Sequence, residues 1–165
     1  MIQEVFHTSS PDETEELGRQ VGALLEQGAF LALRGELGGG KTCFTRGVVQ
    51  AAVPESAHLV ASPTFAIMNQ YPGRLPIYHF DFYRMAGEAD IDDLGFTEYL
   101  QGDGVCIVEW SERLEGLLPD DHLRISFHDA GDDRRRIIME ARGPSSEILL
   151  SRLLRRIQDD KISLT

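Results

Sequence analysis

Apolar and polar positions along the chain fall into blocks of two kinds. Leu17, Val21, Leu24 and Leu25 recur at the three- and four-residue spacing of one helix face, and Gly28 ends the pattern. Ser10-Pro11-Asp12-Glu13 supplies a start signal, with Ser10 as cap, Pro11 in the first turn and Glu13 closing a capping box. Phe30-Leu31-Ala32-Leu33 is continuously apolar instead, which predicts a strand covered on both faces as in a parallel sheet. A glycine-rich stretch follows. After it a second helix is predicted from Lys41 to about Ala52, with Phe44, Val48 and Val49 on its inner side.

Farther along, residues 65–71 and 77–81 read as strands joined through the turn Pro72-Gly73-Arg74, the second one ending in Asp81. Residues 87–103 are acidic and broken, with short helices expected over 90–94 and 97–100. Val105-Cys106-Ile107-Val108 is a second fully apolar strand, closed by Glu109. Strands over 123–127 and 137–140, separated by Gly131-Asp132-Asp133, predict an antiparallel hairpin. A closing helix carries Leu150, Leu153, Leu154 and Ile157 on one side. No repeat, low-complexity stretch or domain boundary interrupts residues 1–165, so one domain is expected.

Composition narrows the class. With 165 residues, 42% hydrophobic and 26% charged, the chain has the make-up of an ordinary globular domain. Its two cysteines, Cys43 and Cys106, both lie in apolar segments, which argues against a disulfide framework and against a zinc cluster. Sixteen basic residues against 27 acidic ones leave a net charge of −11, which repels phosphate backbones and anionic membranes at long range. Any role in nucleic-acid metabolism is therefore expected to run through partner proteins. The opening Met1-Ile2-Gln3-Glu4-Val5-Phe6 lacks the basic and apolar regions of a signal peptide, and no apolar run approaches the roughly 18 residues of a membrane helix. A cytoplasmic location without membrane attachment is the expectation.

The strongest chemical signal is Gly35-Glu36-Leu37-Gly38-Gly39-Gly40-Lys41-Thr42, a full match to G-x-x-x-x-G-K-[ST] set between a predicted strand and a predicted helix. Glycines 38, 39 and 40 remove side chains, so that successive backbone N–H groups can turn inward around a phosphate. The positive end of the following helix faces the same anion. In such loops the lysine, here Lys41, reaches the β- and γ-phosphates, and the hydroxyl, here Thr42, serves Mg²⁺. Nucleotide binding is the reading, within an α/β, P-loop NTPase-like three-layer sandwich that has a mostly parallel central sheet and a C-terminal antiparallel hairpin.

Two acids are candidates to complete that site. Asp81 and Glu109 each terminate an apolar strand, which places a carboxylate at the carboxyl edge of the sheet, where open α/β folds bind ligands. Glu109 is favoured as metal ligand, and Asp81 as the residue orienting an attacking water or the switch. Thr64, in Ser62-Pro63-Thr64, is placed to sense a γ-phosphate through its hydroxyl; an ordinary Ser-Pro turn is the alternative. Trp110, the only tryptophan, either packs on the nucleotide or serves the core or an interface. His79 reads as an orienting or buried histidine rather than a metal ligand. Cys43, near a helix start, reads as a packing residue. Arg134-Arg135-Arg136 either touches a phosphate or adenine, or forms a solvated face.

Together the octapeptide, Ser62-Pro63-Thr64-Phe65, His79-Phe80-Asp81-Phe82-Tyr83-Arg84 and Val108-Glu109-Trp110 resemble the TsaE (YjeE) family, the bacterial ATPases of tRNA threonylcarbamoyladenosine formation. The resemblance extends from about Glu13 through the final helix. It implies ATP and Mg²⁺ as cofactors, with Gly35, Gly38, Gly39, Gly40, Lys41, Thr42, Cys43 and Trp110 about the nucleotide and Arg134 as a further candidate contact. It implies Thr42 and Glu109 as metal ligands, and Asp81, Lys41 and Thr64 as the catalytic set. It also implies a TsaD–TsaB heterodimer as partner, with tRNA met only indirectly and ATP hydrolysis resetting the complex. Three loop positions depart from the family's more usual G-D-L-G-A-G-K-T-T: Glu36 keeps the charge, Gly39 adds freedom, and Cys43 replaces a hydroxyl. A small-molecule kinase using the same loop is the alternative; it needs an acceptor pocket and an arginine-bearing lid, and no segment reads convincingly as that lid. A third reading is a module that binds nucleotide without turning it over.

Overall fold

A computed structural model describes residues 2–36, 40–60, 68–82, 90–91, 95–99, 102–114 and 116–163. Seven strands form one sheet: β1 (Ile2–Thr8), β2 (Phe30–Gly35), β3 (Met68–Tyr71), β4 (Ile77–Asp81), β5 (Val105–Glu109), β6 (His122–Asp129) and β7 (Arg135–Arg142), in the order β1-β7-β6-β2-β5-β4-β3. The pairings β6·β2, β2·β5 and β5·β4 are parallel, whereas β1·β7, β7·β6 and β4·β3 are antiparallel. The expected α/β sheet and C-terminal hairpin are both present, and the parallel portion is confined to the four central strands.

Helices α1 (Pro11–Gly22), α2 (Lys41–Ala52) and α3 (Pro144–Ser163) supply apolar residues to one core. There Leu17, Val21, Phe44, Val48, Val49, Leu150 and Leu153 meet Leu31, Leu33, Ile107, Leu123, Ile125, Ile137 and Met139 of the sheet. On the opposite face, Phe30, Ala32, Phe80, Phe82, Cys106 and Val108 pack with Ile91, Phe96 and Leu114 from the connecting segments. Phe96 stands edge-on to Phe30, Phe80 and Phe82 with ring centroids 6.2, 5.0 and 5.5 Å away. Among the described residues, two 3-10 segments, Phe96–Tyr99 and Ser111–Leu114, contribute Phe96 and Leu114 to this second layer.

Over β6, β7 and β1 that opposite face carries polar rows fixed by strand register. Gln3, Glu140 and Arg124 align in one row, Val5, Ile138 and Ser126 in the next, and His7, Arg136 and His128 in a third. Arg34 of β2 continues the middle row beside Ser126, and Arg142 lies beyond the first. Glu140 pairs with both Arg124 and Arg142 at 3.7 Å. Among the described residues, arginines outnumber acids on this face.

Local signals set the helices. Ser10 caps α1 by accepting from the Glu13 N–H at 3.2 Å, and the Glu13 carboxylate answers by accepting from the Ser9 N–H at 3.0 Å. The helix stops at Gly22, with Ala23 as C-cap, so Leu24 and Leu25 lie past its end rather than on the stripe expected up to Gly28. Helices α1 and α2 cross with their backbones almost touching. A Cβ at Gly18 would meet the Phe44 carbonyl, one at Gly22 would lie 2.9 Å from Val48 Cα, and one at Gly47 would meet the Glu15 carbonyl. Strand β3 is described from Met68, the expected residues 65–67 lying outside the described residues, and the short helix expected over 97–100 is a 3-10 segment, Phe96–Tyr99. Strand β1 was not anticipated from the sequence.

Candidate functional site

The parallel strands bring the chemistry to one edge of the sheet. Strand β2 ends at Gly35, φ 142°, whose position is tied to its neighbour: a Cβ there would lie 2.8 Å from the Phe127 carbonyl oxygen. Helix α2 opens at Lys41 with Gly40 as N-cap at φ 99°, a left-handed conformation that glycine adopts without steric cost. Phe44, on the first turn, packs edge-on to Phe127 with centroids 5.6 Å apart and seats the helix start against β6. The strand–loop–helix context that the octapeptide requires is therefore in place. Gly38 and Gly39 lie outside the described residues, as does Thr64.

Lys41 is buried, with 5% of its surface exposed. Its Nζ donates to the Gly35 carbonyl and, at 3.1 Å, to the Glu36 carbonyl, and it stands 4.3 Å from the centre of the Trp110 ring. Burial lowers the pKa of this ammonium, against the opposing fields of Glu109, Glu112 and Asp81. A cation held by main-chain oxygens, an indole face and nearby acids is poised for an anion, because a phosphate supplies the negative charge that burial makes it lack. Thr42 and Cys43, both half-buried, occupy the first turn of α2.

Asp81 and Glu109 are register partners on adjacent parallel strands, and Glu109 is in turn the register partner of Leu33 on β2. Both predicted acids thus stand side by side at the level of the loop. Glu109 is 6% exposed, and its Oε2 accepts from His79 Nε2 at 2.7 Å. His79 Nδ1 lies 3.2 Å from the Tyr71 hydroxyl. Burial raises the Tyr71 pKa to about 12, although a hydrogen bond from the Asn69 side chain opposes that rise. His79 is therefore buried, with a hydrogen-bond partner at each ring nitrogen.

Trp110 follows Glu109 with φ 62°, a left-handed backbone that costs a residue other than glycine about 1–2 kcal/mol. The bend turns the chain off β5 into a 3-10 turn, Ser111–Leu114, and lays the indole over Lys41, with the Arg113 guanidinium carbon 6.0 Å from the ring centre on the same residue. Strain concentrated beside a buried lysine is a mark of a functional site.

Of the candidate residues, Gly35, Gly40, Lys41, Thr42, Cys43, Asp81, Glu109 and Trp110 gather at this edge. Arg134 does not join them: it is exposed on the hairpin turn, where its Nε donates to the Gly131 carbonyl at 3.4 Å. Arg135 is the arginine beside the loop, its Cγ 3.8 Å from where a Gly40 Cβ would stand, next to Thr14 at 3.4 Å. Thr14 Oγ1 in turn bonds Thr8 Oγ1 at 2.7 Å, both buried. Arg135 belongs to the arginine run singled out in the sequence, whereas Glu112, Thr8, Thr14 and Tyr71 are neighbours that sequence reasoning left out.

Among the described residues no group of three or more histidine, cysteine, aspartate or glutamate side chains could cage a metal ion. Mg²⁺ keeps several waters and is held by one or two carboxylates plus substrate phosphates. Glu109, Asp81 and the Thr42 hydroxyl are oxygen donors of the required kind.

The fold and this edge define the class: an α/β protein on one seven-stranded mixed sheet, with two acids on the strands beside the β2–α2 connection. The chain belongs to the TsaE family, threonylcarbamoyl adenosine biosynthesis proteins, whose model matches residues 8–137. It is 42% identical over 156 residues to the tRNA threonylcarbamoyladenosine biosynthesis protein TsaE of Bacillus subtilis, covering 94% of this chain and 96% of that one. Against the protein of the same name from Treponema pallidum it is 40% identical, over 78% of this chain and 93% of the relative. A crystal structure of Bacillus subtilis YdiB superposes with a TM-score of 0.78 at 37% identity, covering 94% of this chain and 96% of the other. No helix among the described residues is long and apolar enough to cross a membrane.

Proposed function

We propose that this chain binds ATP with Mg²⁺ at the Gly35–Thr42 loop and hydrolyses it, as the energy-providing subunit of tRNA threonylcarbamoyladenosine formation. The observation that carries the proposal is the buried Lys41 at the start of α2, flanked by register-matched Asp81 and Glu109. Family membership supplies the pathway, and the resemblance supplies a TsaD–TsaB heterodimer as the partner, with tRNA engaged through it.

Each residue has a part. Backbone N–H groups at the start of α2 and the helix dipole receive the phosphates. Lys41 exchanges the Gly35 and Glu36 carbonyls for phosphate oxygens. Thr42 and Glu109 would hold the cation, which when bound would neutralise charge developing on the phosphates. Asp81, one strand beyond Glu109, orients the water whose oxygen attacks the γ-phosphorus as the bond to the bridging oxygen of ADP breaks. Trp110 shields Lys41 from solvent, which strengthens every charge interaction there.

Calorimetry with Mg·ATP and Mg·ADP, on the wild type and on Lys41→Ala, tests the binding half. Saturable binding lost in the variant is expected; a wild-type chain that binds neither nucleotide refutes the proposal. Hydrolysis by the isolated chain is expected below the 1–100 s⁻¹ that is typical of kinases, and stimulated by TsaD–TsaB. A rate left unchanged by that pair removes the partner role.

A further inference from the structure

The hydrogen bonds behind Glu109 form a directed series that the proposed chemistry does not itself use. Asn69, Tyr71, His79 and Glu109 occupy three adjacent strands, and register explains why they meet. Asn69 pairs with His79 across β3·β4, which makes Tyr71 the diagonal neighbour of His79 on the same face. His79 pairs with Ile107 across β4·β5, which makes Glu109 its diagonal neighbour in the same way. Tyr71, His79 and Glu109 are 1%, 4% and 6% exposed, so water does not compete for their polar atoms.

Donor and acceptor order follows from chemistry. The Glu109 carboxylate can only accept, so His79 Nε2 carries the N–H on that side and the Tyr71 O–H donates to Nδ1 at 3.2 Å. A histidine that accepts at Nδ1 carries its proton on Nε2, and that N–H donates to Glu109 Oε2 at 2.7 Å. The series thus fixes both the tautomer of His79 and the rotation of the Glu109 carboxylate, committing one of its two oxygens to the protein.

We propose that Tyr71 and His79 are positioning residues that lock Glu109 in the orientation needed for the metal-bound nucleotide. This rests on the reading of Glu109 as a cation ligand given above, and deepens it. Loss of such an outer partner typically lowers metal affinity about 10- to 100-fold, whereas loss of a single neutral hydrogen bond costs about 2- to 10-fold.

Three variants separate the steps. His79→Leu removes the donor to Glu109, His79→Gln keeps an amide N–H in nearly the same place, and Tyr71→Phe removes only the hydroxyl. The primary readout is Mg²⁺ titration of ADP affinity by calorimetry, compared with ADP affinity in EDTA. A loss of about 10- to 100-fold in Mg²⁺ dependence for His79→Leu is expected, with a substantial part restored in His79→Gln and a loss of about 2- to 10-fold in Tyr71→Phe. Metal-free affinity stays near wild type, which a merely structural role would not produce. Nitrogen-15 NMR of the nucleotide-free chain is expected to report the Nε2–H tautomer at His79, moving toward a mixture in Tyr71→Phe. An Nδ1–H tautomer in the wild type overturns the inference whatever the nucleotide data show. If His79→Leu does not fold, Tyr71→Phe and the NMR arm still decide. Wild-type Mg²⁺ dependence that no soluble variant alters overturns the positioning role alone. A wild-type chain without Mg²⁺-dependent binding overturns the reading of the site and this inference together.

Discussion

Replacing Gly47 by alanine probes how α2, which carries Lys41 and Thr42, is held in place. In an isolated or exposed helix this change is favourable by about 1 kcal/mol, because glycine has more freedom to lose. Here the added methyl would overlap the Glu15 carbonyl and stand 2.9 Å from both the Arg19 nitrogen and the Glu15 carbonyl carbon. All three atoms belong to the backbone of α1, which has no rotamer to change, so the helices themselves must part. Overpacking of a tight contact costs about 1–3 kcal/mol, and a clash with fixed backbone belongs at the upper end. Setting about 3 kcal/mol against the gain of about 1 leaves a net destabilisation of about 2 kcal/mol. For a chain of this size that lowers Tm by about 4–8 °C. Urea unfolding of the two proteins, analysed at equal slope, is the assay. A Gly47→Ala chain as stable as the wild type, or more stable, would refute the claim that the two backbones set the helix spacing.

Further expectations concern the other end of the sheet and the thiols. Asp121 caps α3 by accepting from the Ser145 and Ser146 N–H groups at 2.8 and 3.0 Å and from the Ser146 hydroxyl at 2.6 Å; Asp121→Ala should cost about 1 kcal/mol in chemical unfolding. Burial alone would raise this carboxyl's pKa, but those hydrogen bonds bring it below 3.8. Its contribution is therefore complete above that value and fades as pH falls through the folded pKa, so Asp121→Ala and wild type should converge in stability in strong acid. His122 is shifted below its ordinary 6.5, chiefly by burial, while Nδ1 donates to the Pro119 carbonyl at 2.7 Å. Its neutral form stabilises the fold above that pH, and the contribution is lost as pH drops through the folded pKa; melts between pH 7.5 and 5 should fall more steeply for wild type than for His122→Asn. Burial pushes the Cys106 thiol up to about 12, whereas Cys43 is half-buried on the first turn of α2. Ellman's reagent should titrate one thiol in the native chain and two in urea, and equal rates for both in the native chain would contradict the assignment.

Much of this architecture was legible because its signals are local. The octapeptide, the boundaries of α2, the Ser10 cap and the apolar runs of β2 and β5 each rest on a few consecutive residues, and the acids closing β4 and β5 follow from where those runs stop. What escaped depends on register. Strand β1 reads poorly because Glu4 shares the inward row with Ile2 and Phe6, while Val5 faces out and is 40% exposed; the alternation that marks a strand is scrambled. Of three consecutive arginines, strand alternation points Arg135 with Ile137 and Met139 toward the helix-covered side, and no sequence rule chooses it over Arg134. Tyr71 and Glu112 approach the site only after distant segments pair. His79 was recognisable as buried or orienting, but its partners came from two other strands.

The rows on β6, β7 and β1 gather arginines in a chain that is acidic as a whole. In a body of net charge −11, Arg34, Arg124, Arg136 and Arg142 share one sheet face, where Glu112 and Glu140 stand within 4 Å of three of them. Whatever field those paired charges leave uncancelled reaches about 10 Å into 0.1 M salt and farther into dilute buffer.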